Sequence, residues 1–419
     1  MGNMVKHLNV SKDCCGCTAC ESICPQHCIE MKKNEEGFLY PIVEKDKCIE
    51  CGLCQKVCMI GVKTQQKEVL QTYAAMNCDL DTRMASSSGG IFALLAKKII
   101  SENGIVFGAA FSDAYKAVHH TTAVNNSELQ KMYGSKYVQS DLHGIYPQVK
   151  EALEEGKKVL FTGTPCQING LRYFLGKNYE NLLLIDIICH GVPSPALWSK
   201  YVSSIENKYH SSVTNVNFRS KKCRNREFGI NRIDEQSREL FILRDQDPYM
   251  QLFLRNYCLR QSCYQCSAKA SRFSDITIGD YWGIEYVIPE MNDGMGTSAV
   301  IVRTEKGKEY LSHIVSHMKL KKTEYQTIVR HNSAEIQSVN KPFQRESFFA
   351  DMNSKSFSAL QRKYLKKSLK IRVRNLLIRM GIWSIIRPMQ MSKRRKNNLD
   401  YFLVFALRKN IRNTDSFPI

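Results

Sequence analysis

The chain has 419 residues, 43% hydrophobic and 24% charged, which is enough apolar content for a large core and for two or three domains. No run of about 18 uninterrupted apolar residues occurs, and no apolar signal segment precedes Cys14, so a cytoplasmic protein is expected rather than a secreted or integral membrane one. Net charge is +20, yet from Lys355 onward 17 Lys and Arg face only Asp400 and Asp415, so most of the excess lies in a C-terminal tail and the body is not expected to bind nucleic acid.

Seventeen cysteines would suggest disulfides in a secreted chain, but eight of them form two copies of one spacing. Cys14, Cys17, Cys20 and Cys24 read C-x-x-C-x-x-C-x-x-x-C-P, and Cys48, Cys51, Cys54 and Cys58 repeat it 34 residues later. This is the bacterial ferredoxin pattern, in which three thiolates of a run hold one 4Fe-4S cluster and the fourth reaches the other. The ligand sets are therefore crossed: Cys14, Cys17, Cys20 with Cys58, and Cys48, Cys51, Cys54 with Cys24. Structural zinc is the weaker reading, because its C-x-x-C pairs are separated by a long spacer rather than built as two full quartets. Pro25 follows the first quartet while Met59 takes the matching place in the second, a change that spares ligation and alters the backbone donors nearby. Cys15 and Cys28 lie outside the quartets and read as packing residues.

A polar stretch, Lys63 to Lys67, closes this module at about residue 66, and a second domain begins near Tyr73. Apolar periodicity gives a helix from about Gly90 to Glu102, then a strand Ile105 to Phe111. The alternation recurs as helix Tyr146 to Glu155, strand Lys158 to Thr162, helix Gln167 to Phe174 and strand Leu182 to Ile188, which indicates an α/β sheet. Ser194 and Pro195 start a helix that runs to Lys208, and strands are expected at Val213 to Phe218, Leu240 to Leu243, Asp275 to Gly279 and Ala299 to Arg303. The polar segment from Asn225 to Gln246 reads as a solvated hairpin or loop. The expected fold is thus an α+β ferredoxin-like dicluster domain (1–66), an α/β domain (73–345) and a basic helical tail (355–419).

Several constellations in the second domain carry chemistry. Ser86 to Gly90 precede the long helix, where free amides and the positive dipole end form either a phosphate cradle or a plain serine cap with a glycine turn. Gly163, Thr164 and Cys166 follow one strand, and Cys189 and His190 follow the next. If both strands lie in one parallel sheet, the two thiols emerge on the same edge. Cys258, Cys263 and Cys266 supply further thiols for a third cluster, with a zinc site or unrelated buried thiols as rivals. His190 is placed to act as a general acid, against a histidine that merely bonds its own loop. Asp280 ends an apolar strand and would bond a flavin or cap its turn.

Taken together, the strings "SSSGGIFALL", "YGSKYVQSD", "FTGTPCQINGLR", "DIICHGVPSPALW", "RQSCYQCSAK" and "DITIGDYWG" resemble the coenzyme F420 hydrogenase/dehydrogenase beta subunits, over about residues 10 to 305. The resemblance implies an FAD against the α/β domain beside a third 4Fe-4S cluster. Ser87, Ser88, Gly89, Gly90, Lys136, Tyr137, Gly163, Thr164 and Asp280 become flavin-pocket residues, and Cys166, Cys189, Cys263 and Cys266 the third ligand set, with Cys258 in reserve. The basic tail is similar to bacterial members found with polysaccharide-building enzymes, where the deazaflavin itself need not be used. The expected activity is an iron-sulfur flavoprotein oxidoreductase that takes electrons from a ferredoxin or reductase partner and passes them to an organic substrate, with His190 as the catalytic proton carrier. The alternatives are an electron-handling subunit of a larger complex and a non-catalytic iron-sulfur protein. In the tail, Leu365, Leu369, Val373, Leu376 and Met380 recur at helical spacing among lysines and arginines, which reads as a basic amphipathic helix for an anionic membrane surface or as a helix packed on the body.

Overall fold

Asn34 turns the chain at the tip of the first hairpin: its side-chain oxygen accepts from the amides of Glu36 and Phe38, and Gly37 takes a φ of +81°. That turn joins β1 (Ile29–Lys33) to β2 (Leu39–Val43) in antiparallel register, with short helices Ala19–Ile23 and Leu53–Lys56 within the two cysteine runs. In the computed structural model, residues 12–60, 68–222 and 228–365 are described.

The second domain is built on an eight-stranded mixed sheet. Its strands are β3 (Gln71–Asn77), β4 (Ile105–Phe111), β5 (Val118–Ala123), β6 (Val159–Gly163), β7 (Leu182–Ile187), β11 (Ile276–Asp280), β12 (Ser298–Val302) and β13 (Met318–Lys322). Between β7 and β11 the chain leaves to form a separate antiparallel sheet of β8 (Val213–Ser220), β9 (Gly229–Asp234) and β10 (Glu239–Leu243). The large sheet runs β13-β3-β12-β11-β7-β6-β4-β5, and its centre, β11-β7-β6-β4, is parallel throughout. Their carboxyl ends therefore share one edge, where open α/β sheets bind ligands.

Alternation along the central strands explains the two-faced core. Val106, Leu160, Leu183 and Ile185 face helix Ile91–Ser101, while their neighbours Phe107, Phe161 and Leu184 face helices Ile145–Glu154 and Pro165–Leu175. Ala19 and Val57 of the dicluster module join the second of these cores, so the cluster domain packs on the sheet's helical layer. Local signals fix the helix starts: Thr164 and Gln167 form a capping box before Pro165, and Ser194 caps Pro195–Tyr209 by accepting from Leu197 N.

Two expectations change. The segment Asn225 to Gln246 is, where it is described, the expected hairpin of β9 and β10 with an exposed turn at 235–239, but it is not solvated throughout, since β9 buries Asn231 and Arg232 and the latter pairs with Asp247 and Tyr201. Arg232 points inward because an acid and a phenol from outside the hairpin meet it, which local polarity does not reveal. The body also extends further than 345. Helices Arg345–Ser354 and Phe357–Tyr364 pack on it, with Phe357 against Tyr201 and Tyr364 against Tyr257, so the start of the expected 355–419 tail lies within the body. The amphipathic reading from Lys366 onward lies outside the described residues. No described helix is long and apolar enough to cross a membrane.

Candidate functional site

The cysteine runs form two neighbourhoods. Cys24, Cys48, Cys51 and Cys54 line one small cavity of about 20 Å³ together with Pro25, Ile49 and Leu53. Cys51 is exposed there, Cys24 is buried, and the Cys28 sulfur lies 3.4 Å from that of Cys24. In the other neighbourhood burial, helped by nearby Cys14 and Cys58, pushes the Cys20 thiol up to about 12. Cys17 lies under Gly170, where an added Cβ would fall 2.7 Å from the Cys17 Cβ and 2.8 Å from its sulfur. Among the described residues no three His, Cys, Asp or Glu close around the space of a single metal ion; a four-iron cube needs its thiolates spread wider, so an all-thiol donor set of this kind fits a cluster.

A third group of thiols forms where the sheet ends. Strands β6 and β7 are adjacent and parallel, so Cys166, in the first turn of the helix after β6, and Cys189, just past β7, leave the same edge. Burial, then nearby Cys166, pushes the Cys189 thiol up to about 12, against the opposing pull of Lys269. Burial raises Cys263 as well, with Cys189, Cys266 and Cys166 all among its neighbours, and Val192 N donates to its sulfur at 3.4 Å. Cys258 takes no part. It is fully buried beside Tyr249 and Arg345, and its carbonyl accepts from Ser194 N, so it is a core residue rather than the reserve ligand. The Cys15 thiol donates to the Met59 sulfur at 3.9 Å, and the thiols of Cys17 and Cys166 are among its neighbours.

Above these thiols opens a cavity of about 460 Å³ whose wall includes Ser87, Ser88, Gly90, Lys136, Tyr137, Gly163, Thr164, Asp280, Cys189 and His190. Gly89 is not on this wall: its amide donates to Ser298 Oγ, and a Cβ there would lie 2.2 Å from Ala75 O, so it serves close packing of the backbone. Gly90 caps helix Ile91–Ser101 with a φ of +80°, a conformation that suits glycine. The Ser88 hydroxyl donates to Thr297 O, and the Ser87 hydroxyl accepts from Ser135 N. Lys136 donates to the carbonyls of Tyr133 and Gly134, and burial without an acidic partner lowers its ammonium to about 7. Nε2 of His190 meets Asn256 Oδ1 at 2.7 Å, a side chain rather than its own loop backbone, and burial lowers its pKa.

Sequence reasoning missed the basic and aromatic half of the wall. Arg219 ion-pairs with Asp280 at 2.8 Å, so that carboxylate is engaged by a cation and does not merely cap its turn. The guanidinium also lies 3.5 Å above the Phe228 ring and 5.2 Å from that of Trp282. His120 stacks on Phe161 and bonds Thr162 O through Nε2, while burial lowers its pKa to about 4. Two buried polar atoms on this wall, His120 Nδ1 and Arg219 Nε, have no protein partner. The polar strand V-H-H-T-T-A that carries His120 held no periodic signal, and Arg219 stands in a segment with no motif.

Residues 156–327 match the family described as the C terminus of the coenzyme F420 hydrogenase/dehydrogenase beta subunit, and residues 13–62 match the 4Fe-4S dicluster domain. The chain is 20% identical to an F(420)H(2) dehydrogenase subunit of Methanosarcina mazei, over 73% of this chain and 84% of that protein. It is 22% identical to a coenzyme F420-dependent sulfite reductase of Methanocaldococcus jannaschii, over 71% of this chain but 45% of that protein. Among solved structures it resembles a chain of the F420-reducing NiFe hydrogenase complex of Methanosarcina barkeri, at 19% identity and a TM-score of 0.44, covering 66% of this chain and 92% of that one. The protein is an iron-sulfur protein of an oxidoreductase class. Its residues 156–327 match the C-terminal domain of the coenzyme F420 hydrogenase/dehydrogenase beta subunits, and a 4Fe-4S dicluster domain precedes that part in the same chain.

Proposed function

We propose that the chain is the electron-handling subunit of a larger oxidoreductase complex, with a third cluster at Cys166, Cys189, Cys263 and Cys266, an FAD in the 460 Å³ cavity and coenzyme F420 as the two-electron partner. The observation that carries this reading is the position of Cys189, which belongs both to the four-thiol group and to the cavity wall. The relatives' names favour the subunit over a self-sufficient enzyme, since one is a dehydrogenase subunit and the other a reductase that uses F420. When bound, the clusters supply single-electron transfer and the flavin ring converts it to hydride exchange with the deazaflavin.

The residues divide the remaining work. Gly90 and the free amides of helix Ile91–Ser101 offer the positive end for a diphosphate, and Lys136 adds a cation that a bound anion returns to its charged state. His120 Nδ1 and Arg219 Nε are the polar atoms that such a ligand would satisfy, and Trp282 and Phe228 provide apolar faces for a ring. Asn256 Oδ1 accepts from His190 Nε2, which leaves Nδ1 of the neutral ring able to take up a proton.

Anaerobically purified full-length protein should hold about twelve irons, at four per cluster, and release one FAD per chain. Cys263→Ser should lower the iron to about eight while leaving the dicluster signals unchanged. Reduced F420 should bleach the bound flavin in single turnover. About eight irons in both proteins would remove the third cluster, absence of flavin would remove FAD from the reading, and flavin that ignores reduced F420 would remove the deazaflavin.

A further inference from the structure

Seven arginines are buried among the described residues, and six of them pair with a carboxylate: Arg83 with Asp293, Arg219 with Asp280, Arg232 with Asp247, Arg272 with Asp186 and Glu335, Arg303 with Glu335, and Arg345 with Glu36. The seventh, Arg260, is fully buried and pairs with no described carboxylate. Its Nε donates to Cys14 O at 2.7 Å, Nη2 donates to Leu39 O at 2.8 Å, and Nη1 donates to Gln139 Oε1 at 3.1 Å. The guanidinium lies 4.2 Å above the Tyr40 ring, and its Nη2 stands 3.7 Å from the Cys14 sulfur. Burying a full charge against neutral acceptors alone is costly, and removing its partner costs more than the pair ever contributed. Ligation of a cluster by Cys14, which takes up its sulfur as a thiolate, would supply the anion that completes this site. Gly16 makes the approach possible, because a Cβ there would lie 2.8 Å from Nη1.

The second cysteine neighbourhood is different. Its lining includes Pro25, Ile49 and Leu53 but no lysine or arginine, and Cys51 opens to solvent. We propose that Arg260, a residue of the α/β body, is a positioning residue that raises the reduction potential of the first cluster above that of the second. Reduction adds one electron and no proton to an already anionic set of four thiolates and cube, so a buried cation at Cys14 stabilises the reduced form more than the oxidised one. An electron that enters at the exposed Cys51 side then runs downhill to the interior cluster, next to Cys15 and its neighbour Cys166. This inference rests on the dicluster domain alone and stands or falls independently of the flavin and of F420.

The test is an anaerobic redox titration of the full chain with dithionite as electron donor, followed by electron paramagnetic resonance, with Cys51→Ala used to assign the second cluster's signal. In Arg260→Gln the reduced-to-oxidised ratio of the first cluster at fixed potential should fall at least tenfold, about 59 mV for one electron, while the second cluster holds its native value. Arg260→Lys, which keeps the charge, should stay within threefold of native. If Arg260→Gln fails to load both clusters, Gln139→Glu carries the test, because it sets a carboxylate on Nη1 and should move the first cluster in the same direction. A first-cluster ratio unchanged in these variants, or both clusters shifting together, overturns the proposal.

Discussion

The first cluster site is closed in by the α/β body, with Gly170 seated on Cys17 and Arg260 on Cys14, whereas the second faces outward with Cys51 exposed. Both arise from the same spacing of four cysteines, and the loops around them carry the same kind of short helix. What separates them is the surface that meets each one. A repeated ligand motif therefore specifies what binds, and the domain packed against it specifies how that group behaves.

Ligand removal should break this symmetry most strongly. Cys17→Ala and Cys51→Ala should each lose about four irons, but only Cys17→Ala should also depress the melting temperature, because Cys17 belongs to the core that joins the two domains. Equal melting temperatures for the two variants, measured by calorimetry under nitrogen, would erase the distinction. A smaller effect is expected at the tether beside the first site, where Arg345 forms a two-pronged bond to Glu36 of the dicluster hairpin at 2.6 and 2.7 Å. Glu36→Ala leaves that arginine buried and unpaired, at a cost of about 3 kcal/mol in urea unfolding.

Below this comes Gly170→Ala. Its Cβ would lie 2.7 Å from Cys17 Cβ and 2.9 Å from Tyr146 Oη. Overpacking of this kind costs roughly 1–3 kcal/mol, and the spectrum of the first cluster should change while that of the second stays native. The smallest effect concerns Lys136, a buried cation with neither a carboxylate nor a thiolate to answer it. Its pKa falls to about 7 in the folded state, from about 10.4 unfolded. Between those values the unfolded chain binds more protons, so this lysine makes stability rise as pH rises from about 7, with its full penalty below that. Lys136→Met should stabilise cofactor-free protein by about 1 kcal/mol at pH 6 and flatten that slope, with Lys221, lowered to about 7 by burial, retaining its own share. Thermal melts across pH 6 to 10 decide it; an unchanged slope would mean that Lys136 titrates normally.

Much of the candidate site was legible because its residues stand next to strand and helix ends. The strand Ile105 to Phe111 has the bounds expected of it, and the residues after β6 and β7 reach the shared edge because those strands are parallel neighbours. Eight of the nine flavin-pocket candidates line the cavity, while Gly89 is held in the backbone packing beneath it. The roles of Arg219, His120 and Arg260 were not legible. Arg219 and His120 stand in polar or unpatterned stretches, Arg260 opens a string read only for its cysteines, and each acquires its role from a partner more than 40 residues away: Asp280, Thr162 and Cys14.

The sequence by itself determined the cluster chemistry, because thiolate ligation is a local matter of loop spacing, and it determined the α/β alternation, because burial on a central parallel sheet leaves a periodic record. Tertiary structure alone decided which cluster is enclosed, that a cation from residue 260 sits on Cys14, and that Cys15 lies near Cys166. Those outcomes depend on distances between segments far apart in the chain and on how much water is left between them. Neither quantity is written in any local pattern, and both govern the strength of a charge at a redox centre.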